Sequence, residues 1–96
     1  MNDEELMKKS KTCEFNADND LMTSCKAVLD NVDEHKENLE LDKEETEDYL
    51  KMVENLKPAD VSKVLALALK IRESGNVKDP EVKNDASRLI RAIEMS

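Results

Sequence analysis

Four stretches of the chain repeat apolar residues at the spacing of an α-helix, and they predict the elements of the fold. The first stretch follows Asp20, where the apolar side chains fit a single stripe with a period of 3.6 residues. Its members are Leu21, Met22, Cys25, Val28, Leu29 and Val32. Asn19 or Asp20 can cap this helix, because a short side-chain oxygen accepts hydrogen bonds from the free amides of the first turn.

A second helix is predicted to begin near residue 42. Asp42 stands where an N-cap is needed, and Glu45 follows three residues later, as in a capping box. Met52 lies at the flank of the predicted buried face. That face consists of Tyr49, Leu50, Val53 and Leu56. We expect Pro58 to end this helix, because the residue before a proline is pushed out of the α region.

The run "VSKVLALALKI", residues 61–71, is apolar around most of its circumference and predicts a helix that other elements enclose. A buried strand over residues 64–69 is the alternative, but the alanines and the absence of turn residues favour the helix. We expect Gly75 to end the helix in a left-handed conformation, with Arg72 in the last turn.

The last helix has the clearest start signal in the chain. Asp79 is placed as the cap, Pro80 occupies the first helical position and Glu81 complements the helix dipole. One apolar face follows, formed by Val82, Ala86, Leu89, Ile90 and Ile93.

The composition agrees with these patterns, since one Gly, two Pro and few aromatic residues leave little material for a sheet with many turns. We therefore predict one domain with an all-α fold, a compact bundle of four or five short helices with an enclosed central helix, over residues 19–96. Residues 1–18 have sparse apolar positions and predict a flexible acidic tail. Phe15 in this tail is either a residue that packs near the first helix or a short motif that docks into a partner groove.

The chain carries a net charge of −8, distributed unevenly. Residues 1–50 hold 16 acids and 6 lysines, a net of −10, whereas residues 51–96 hold 7 acids and 9 bases, a net of +2. Phosphate backbones and anionic lipids repel such a chain, which argues against direct nucleic-acid binding and against a membrane partner. Because Met1 is followed by acidic residues and not by a secretory leader, we expect an intracellular chain with free thiols at Cys13 and Cys25.

We find no pattern that supports catalytic, cofactor-binding or metal-binding residues. His35 is the single histidine and stands in a polar stretch, so it is interpreted as a surface residue. Cys25 belongs to an apolar stripe and is interpreted as a small core residue. The segment "DNVDEHKENLEL" is no calcium loop, because Val32 stands at a liganding position and no central glycine follows. A binding or scaffold protein is therefore favoured over an enzyme.

The two segments "VSKVLALALKIRES" and "DPEVKNDASRLIRAIE" resemble the N-terminal domain family of transcription elongation factor S-II, which includes the integrase-binding domain type. The matching residues are Lys63, Val64, Ala68, Leu69, Asp79, Pro80, Glu81, Val82, Ala86, Leu89 and Ile90. The resemblance covers roughly residues 20–94. In this chain "LKPADVSKV" leaves room for barely one turn where the family has a third helix.

This resemblance implies a nuclear, non-enzymatic module of the transcription machinery that binds short disordered segments rich in acids and Phe. It places a partner site in the loops between helices. In the loop "ESGNVKD" it implies Val77 as an apolar contact beside Asn76, and in the loop between the first two helices it implies Asp33, Leu39 and Leu41. A protein or peptide partner and a monomeric chain are thus expected. The alternative is a small acidic homodimer or an inhibitor that mimics nucleic acid or blocks a partner surface.

Overall fold

The computed structural model describes residues 2–12 and 21–95, and within them the chain forms helices and turns but no strand. Five helices have eight residues or more, and two single turns join them. In chain order the elements are α1 (Asp3–Ser10), α2 (Leu21–Asp30), the one-turn α3 (Val32–His35), α4 (Lys43–Glu54), a 3-10 turn (Pro58–Asp60), α5 (Val61–Glu73) and α6 (Pro80–Met95). The prediction of an all-α bundle is confirmed.

Helix α5 lies at the centre and packs against α1, α2 and α6. Its buried residues are Val61, Val64, Leu65, Leu67, Ala68 and Ile71. A narrow stripe of α5 stays exposed at Lys63, Ala66 and Lys70, which recur every three or four residues. The helix is therefore enclosed on all sides but one. The radius of gyration, 12.3 Å, is that of a compact domain of this length.

Helix α6 follows the sequence prediction throughout. Pro80 is its first residue, and the Asp79 carboxylate accepts a hydrogen bond from the amide of Glu81 at 3.0 Å. All five residues of the predicted face are buried. The helix packs against α2 and α5, and the Asn31 side chain at the end of α2 donates to the Asp85 carboxylate at 3.1 Å.

Helix α1 corrects the prediction of a flexible tail. Leu6 is fully buried against the core, and α1 packs on α5 and α6. Arg72 of α5 donates to the Asp3 carboxylate at 2.9 Å, and the Lys9 ammonium donates to the Glu94 carbonyl oxygen. The sequence predicts a tail over residues 1–18 because apolar positions are sparse there, but Leu6 and the two polar links tie residues 3–10 to the bundle. The predicted roles of Cys13, Phe15, Asn19 and Asp20 fall outside the described residues.

Helix α4 confirms its predicted cap but corrects its predicted face. The Asp42 carboxylate accepts from the amide of Glu45 at 2.7 Å. Met52 is buried, whereas Leu50 remains exposed. Adjacent helical residues point about 100° apart and residues three apart about 60°, so Met52 lies closer than Leu50 to the direction of Tyr49. The buried stripe is thus rotated toward Met52.

Among the residues that the structure describes, Glu40 and not Gly75 adopts the left-handed conformation. Glu40 has φ 57°, whereas Gly75 does not take a positive φ, and Ser74, the residue that follows α5, has extended angles. The predicted left-handed cap at Gly75 is therefore wrong. The 3-10 turn Pro58–Asp60 occupies the short segment between α4 and α5, as its length predicted.

Candidate partner-binding surface

An open groove lies between the end of α3 and the outer face of α4. Its volume is about 370 Å³, within the range of small binding pockets. We call it the α3–α4 groove. It is lined by Asp33, Lys36, Glu37, Leu41, Lys43, Thr46, Glu47 and Leu50. The groove combines the predicted site residues Asp33 and Leu41 with residues of α4 that the sequence analysis did not assign.

Apolar surface is available to a partner in this groove. Leu50 keeps 39% of its surface exposed, and Leu41 is half-buried against the core. Thr46 of α4 lies between them in the sequence, and its hydroxyl donates to the Asp42 carbonyl at 2.8 Å. The hydroxyl hydrogen of Thr46 is therefore not available as a donor to a partner.

The turn that follows α3 places Leu41 at the groove. The Leu41 amide donates to the Lys36 carbonyl at 3.0 Å, and the Glu40 amide donates to the Glu37 carbonyl at 3.2 Å. These two hydrogen bonds, together with the left-handed conformation of Glu40, form a Schellman motif. Glu40 occupies the position in this motif that glycine usually holds. The motif closes the helical turns and directs the chain toward α4.

Exposed charges surround the apolar part of the groove. Lys36 lies 3.5 Å from the Asp33 carboxylate, and both side chains are largely exposed, so this pair contributes little to the free energy of unfolding. Glu37 and Glu47 are exposed and form no ion pair among the described residues. Their carboxylates remain available to a partner of opposite charge.

The predicted loop site around Asn76 forms a separate cleft. It has a volume of about 270 Å³ and is lined by Asn38, Leu39, Glu40, Lys70, Glu73, Ser74, Gly75 and Asn76. The structure thus brings Leu39 near Asn76, but away from the lining of the α3–α4 groove. Leu39 and Val77 are each only 1% exposed and belong to the core. Their burial leaves little surface for the direct partner contact that the resemblance implied at these two residues.

A third depression, of about 220 Å³, lies on the other side of α4, next to the exposed stripe of α5. Tyr49 lines it together with Glu45 and Asp48. Burial raises the pKa of Tyr49, and the neighbouring carboxylates of Glu45 and Asp48 raise it further. Acidic side chains therefore flank α4 on both sides.

The remaining candidate residues add no second site. Cys25 is buried, as predicted, and forms no disulfide with another described residue. His35 is half-buried, and its Nδ1 atom finds no hydrogen-bond partner among the described residues. Within the same residues no group of three or more His, Cys, Asp or Glu side chains is arranged to hold a metal ion. None of the helices within residues 2–12 and 21–95 has both the length and the apolar content that crossing a membrane requires.

The apolar pattern of α4 assigns Leu50 to the buried face, so the sequence does not predict Leu50 and Glu47 as site residues. The exposure of Leu50 depends on how α4 packs against α2 and α3.

Comparison of the chain with protein-family models, with curated proteins and with solved structures found no match.

Proposed function

We propose that this chain is a non-enzymatic protein-interaction module that binds a short partner segment in the α3–α4 groove. The observation that carries the proposal is the exposure of Leu50, 39%, beside an open groove of about 370 Å³. Apolar surface at a groove rimmed by polar residues is typical of an interaction site.

The sequence resemblance supports the same type of function. It implied a binding site in the loop between the first two predicted helices, which correspond to α2 and α4. Asp33 and Leu41, which lie between α2 and α4, line the groove. A role within the transcription machinery, with a nuclear location, belongs to this proposal through the resemblance alone.

A peptide-display selection tests the proposal and does not require an identified partner. Random peptides of about twelve residues, three helical turns, are selected on the wild-type chain and then measured on two variants. Leu50→Gln removes apolar surface from the groove, whereas Met22→Gln removes it from α2, where Met22 is equally exposed at 38%. We expect the selected peptides to lose binding to Leu50→Gln and to keep it for Met22→Gln. Equal binding to both variants would contradict the proposed site, and a selection that yields no peptide would contradict the function.

The rival function is a small acidic homodimer or an inhibitor that mimics nucleic acid or blocks a partner surface. It is favoured by the ten exposed carboxylates of residues 33–54. An inhibitor of this kind binds through its charge over a wide area, so Leu50→Gln would leave its binding unchanged. Sedimentation equilibrium tests the dimer: a mass near twice that of the chain, sensitive to salt, would support it, and a monomer at every concentration would exclude it.

A further inference from the structure

The α3–α4 groove lies in the most acidic part of the molecule. Residues 33–54 contain ten Asp and Glu against three Lys, a net charge of −7, and all ten acidic residues are exposed. Within the described part of the chain, Asp33 with Lys36 is the one ion pair that these residues form. Nine carboxylates are therefore left without a cationic partner, and their combined potential extends over the groove.

A partner that covers Leu50 cannot avoid this charge. Glu47 lies on the groove side of α4, while Glu45 and Asp48 lie on the opposite side of the same helix. Burial raises the pKa of Tyr49, and the negative charges of Glu45 and Asp48 raise it further. An acidic partner segment would bring further carboxylates within a few ångströms of these groups, and like charges at such distances disfavour binding.

Two lysines in the lining reduce the negative charge without removing it. Lys36 is engaged with Asp33, and Lys43 is the first residue of α4, where Glu44 follows it directly. Against these, Glu37 and Glu47 carry free carboxylates on the α3 and α4 sides of the groove. A partner with cationic groups beside an apolar residue would therefore meet one carboxylate from Glu37 and another from α4 in the same groove.

The fold restricts how a peptide can be bound here. The described residues contain no strand, so a partner cannot extend a sheet, and a helix laid in a groove is the mode that uses apolar residues at helical spacing. The volume of about 370 Å³ accommodates one or two apolar side chains and not a long apolar face.

Resting on the proposed function, we propose that the α3–α4 groove binds a basic amphipathic segment of another protein. One or two of its apolar side chains contact Leu41 and Leu50, and its Lys or Arg side chains pair with Glu37 and Glu47. This partner chemistry is opposite in charge to the acidic, Phe-containing segments that the sequence resemblance implied.

Two synthetic probes of about twelve residues test the charge preference. Both carry the same pair of leucines four positions apart, and the remaining exposed positions hold four lysines in one probe and four glutamates in the other. We expect the lysine probe to bind at least about tenfold more tightly. Its affinity should fall when the ionic strength rises from about 0.01 M to about 0.15 M, because the Debye length shrinks from about 30 Å to about 8 Å.

Two pairs of variants locate the binding. The double variant Glu37→Gln with Glu47→Gln should weaken the lysine probe about tenfold, whereas Glu4→Gln with Glu5→Gln on α1 makes the same change in charge and should have no effect. Leu50→Gln should also weaken the probe, and Met22→Gln should not. Equal effects of the matched variants would show unspecific attraction to an acidic surface and would overturn the proposal.

The outcomes separate the partner chemistry from the function itself. If the glutamate probe binds tighter and its binding depends on Leu50, the basic partner is wrong and the interaction module stands. If neither probe binds at either ionic strength, and display selection also yields no peptide, both proposals fail. If the chain sediments as a dimer that Leu50→Gln dissociates, a second copy occupies the groove and the basic partner is again excluded.

Discussion

Helices α5 and α4 have nearly the same length, 13 and 12 residues, but they serve the molecule differently. Six residues of α5 are buried among α1, α2 and α6, whereas α4 buries Thr46 and Met52 and packs mainly on α2 and α3. Helix α5 therefore contributes more to the stability of the fold. Helix α4 is attached along one side, which leaves Leu50 and its acidic neighbours available for another molecule.

The largest expected effect distinguishes the two helices by the same substitution. Leu67→Asp should unfold the domain, because it places an unpaired charge in the core and also removes apolar contacts. Together these two costs exceed a net free energy of unfolding of about 5–15 kcal/mol. Leu50→Asp should stay folded, because the new carboxylate remains in contact with water. Circular dichroism during thermal unfolding checks both. A folded Leu67→Asp variant would contradict the position of α5.

The next prediction concerns α1, whose place in the core the sequence did not predict. Leu6→Ala should lower the free energy of unfolding by about 2–5 kcal/mol, since it leaves a cavity where a fully buried side chain was. Lys8→Ala on the exposed side of the same helix should change it by less than about 0.5 kcal/mol. Urea denaturation measures both values. If the two variants were equally stable, α1 would not be part of the folded core.

A smaller effect tests which residue adopts the left-handed conformation beside the groove. Glu40→Gly should raise the free energy of unfolding by about 0.5–1 kcal/mol, because relief of left-handed strain exceeds the added chain entropy of glycine. Gly75→Ala should cause no loss, since Gly75 has no positive φ and an added Cβ atom would meet nothing within 4 Å. A loss of about 1–2 kcal/mol in Gly75→Ala would restore the predicted cap at Gly75.

The smallest effect concerns the acidity around α4. Tyr49 is the single tyrosine of a chain without tryptophan, so its absorbance change near 295 nm reports one group. The raised pKa in the folded state predicts a midpoint above about 10, the value of a free tyrosine. The contribution of Tyr49 to the free energy of unfolding is present below pH of about 10 and is lost as the pH rises through the folded-state pKa. Tyr49→Phe should remove this part of the pH dependence of the free energy of unfolding. A midpoint at or below that of an unfolded control would contradict it.

The sequence predicted the central part of the fold well, because its signals were local and mutually consistent. Asp79, Pro80 and one unbroken apolar face determine α6, and the long apolar run determines α5. Asp42 similarly marks the start of α4. In α6 the cap and the periodic face indicate the same element, and tertiary contacts did not change it.

The site could be predicted only in part, because it depends on which apolar residues the fold leaves uncovered. Asp33 and Leu41 line the groove, but Leu39 and Val77 are covered by neighbouring helices that no local pattern reveals. The rotation of α4 that exposes Leu50 and buries Met52 depends on packing against α2 and α3. Helix α1 could not be predicted for the same reason. Its single buried leucine indicates a packed helix only when the surface that it contacts is known.

We propose that the exposed side of α4 and the turn after α3 form the binding surface. Amide chemical shifts of the ¹⁵N-labelled chain, recorded during titration with the lysine probe, test this proposal. We expect the largest shift changes at Leu41, Glu47 and Leu50, with the amides of α5 and α6 nearly unchanged. Changes concentrated around Asn76 and Val77, with the α3–α4 groove unaffected, would contradict it.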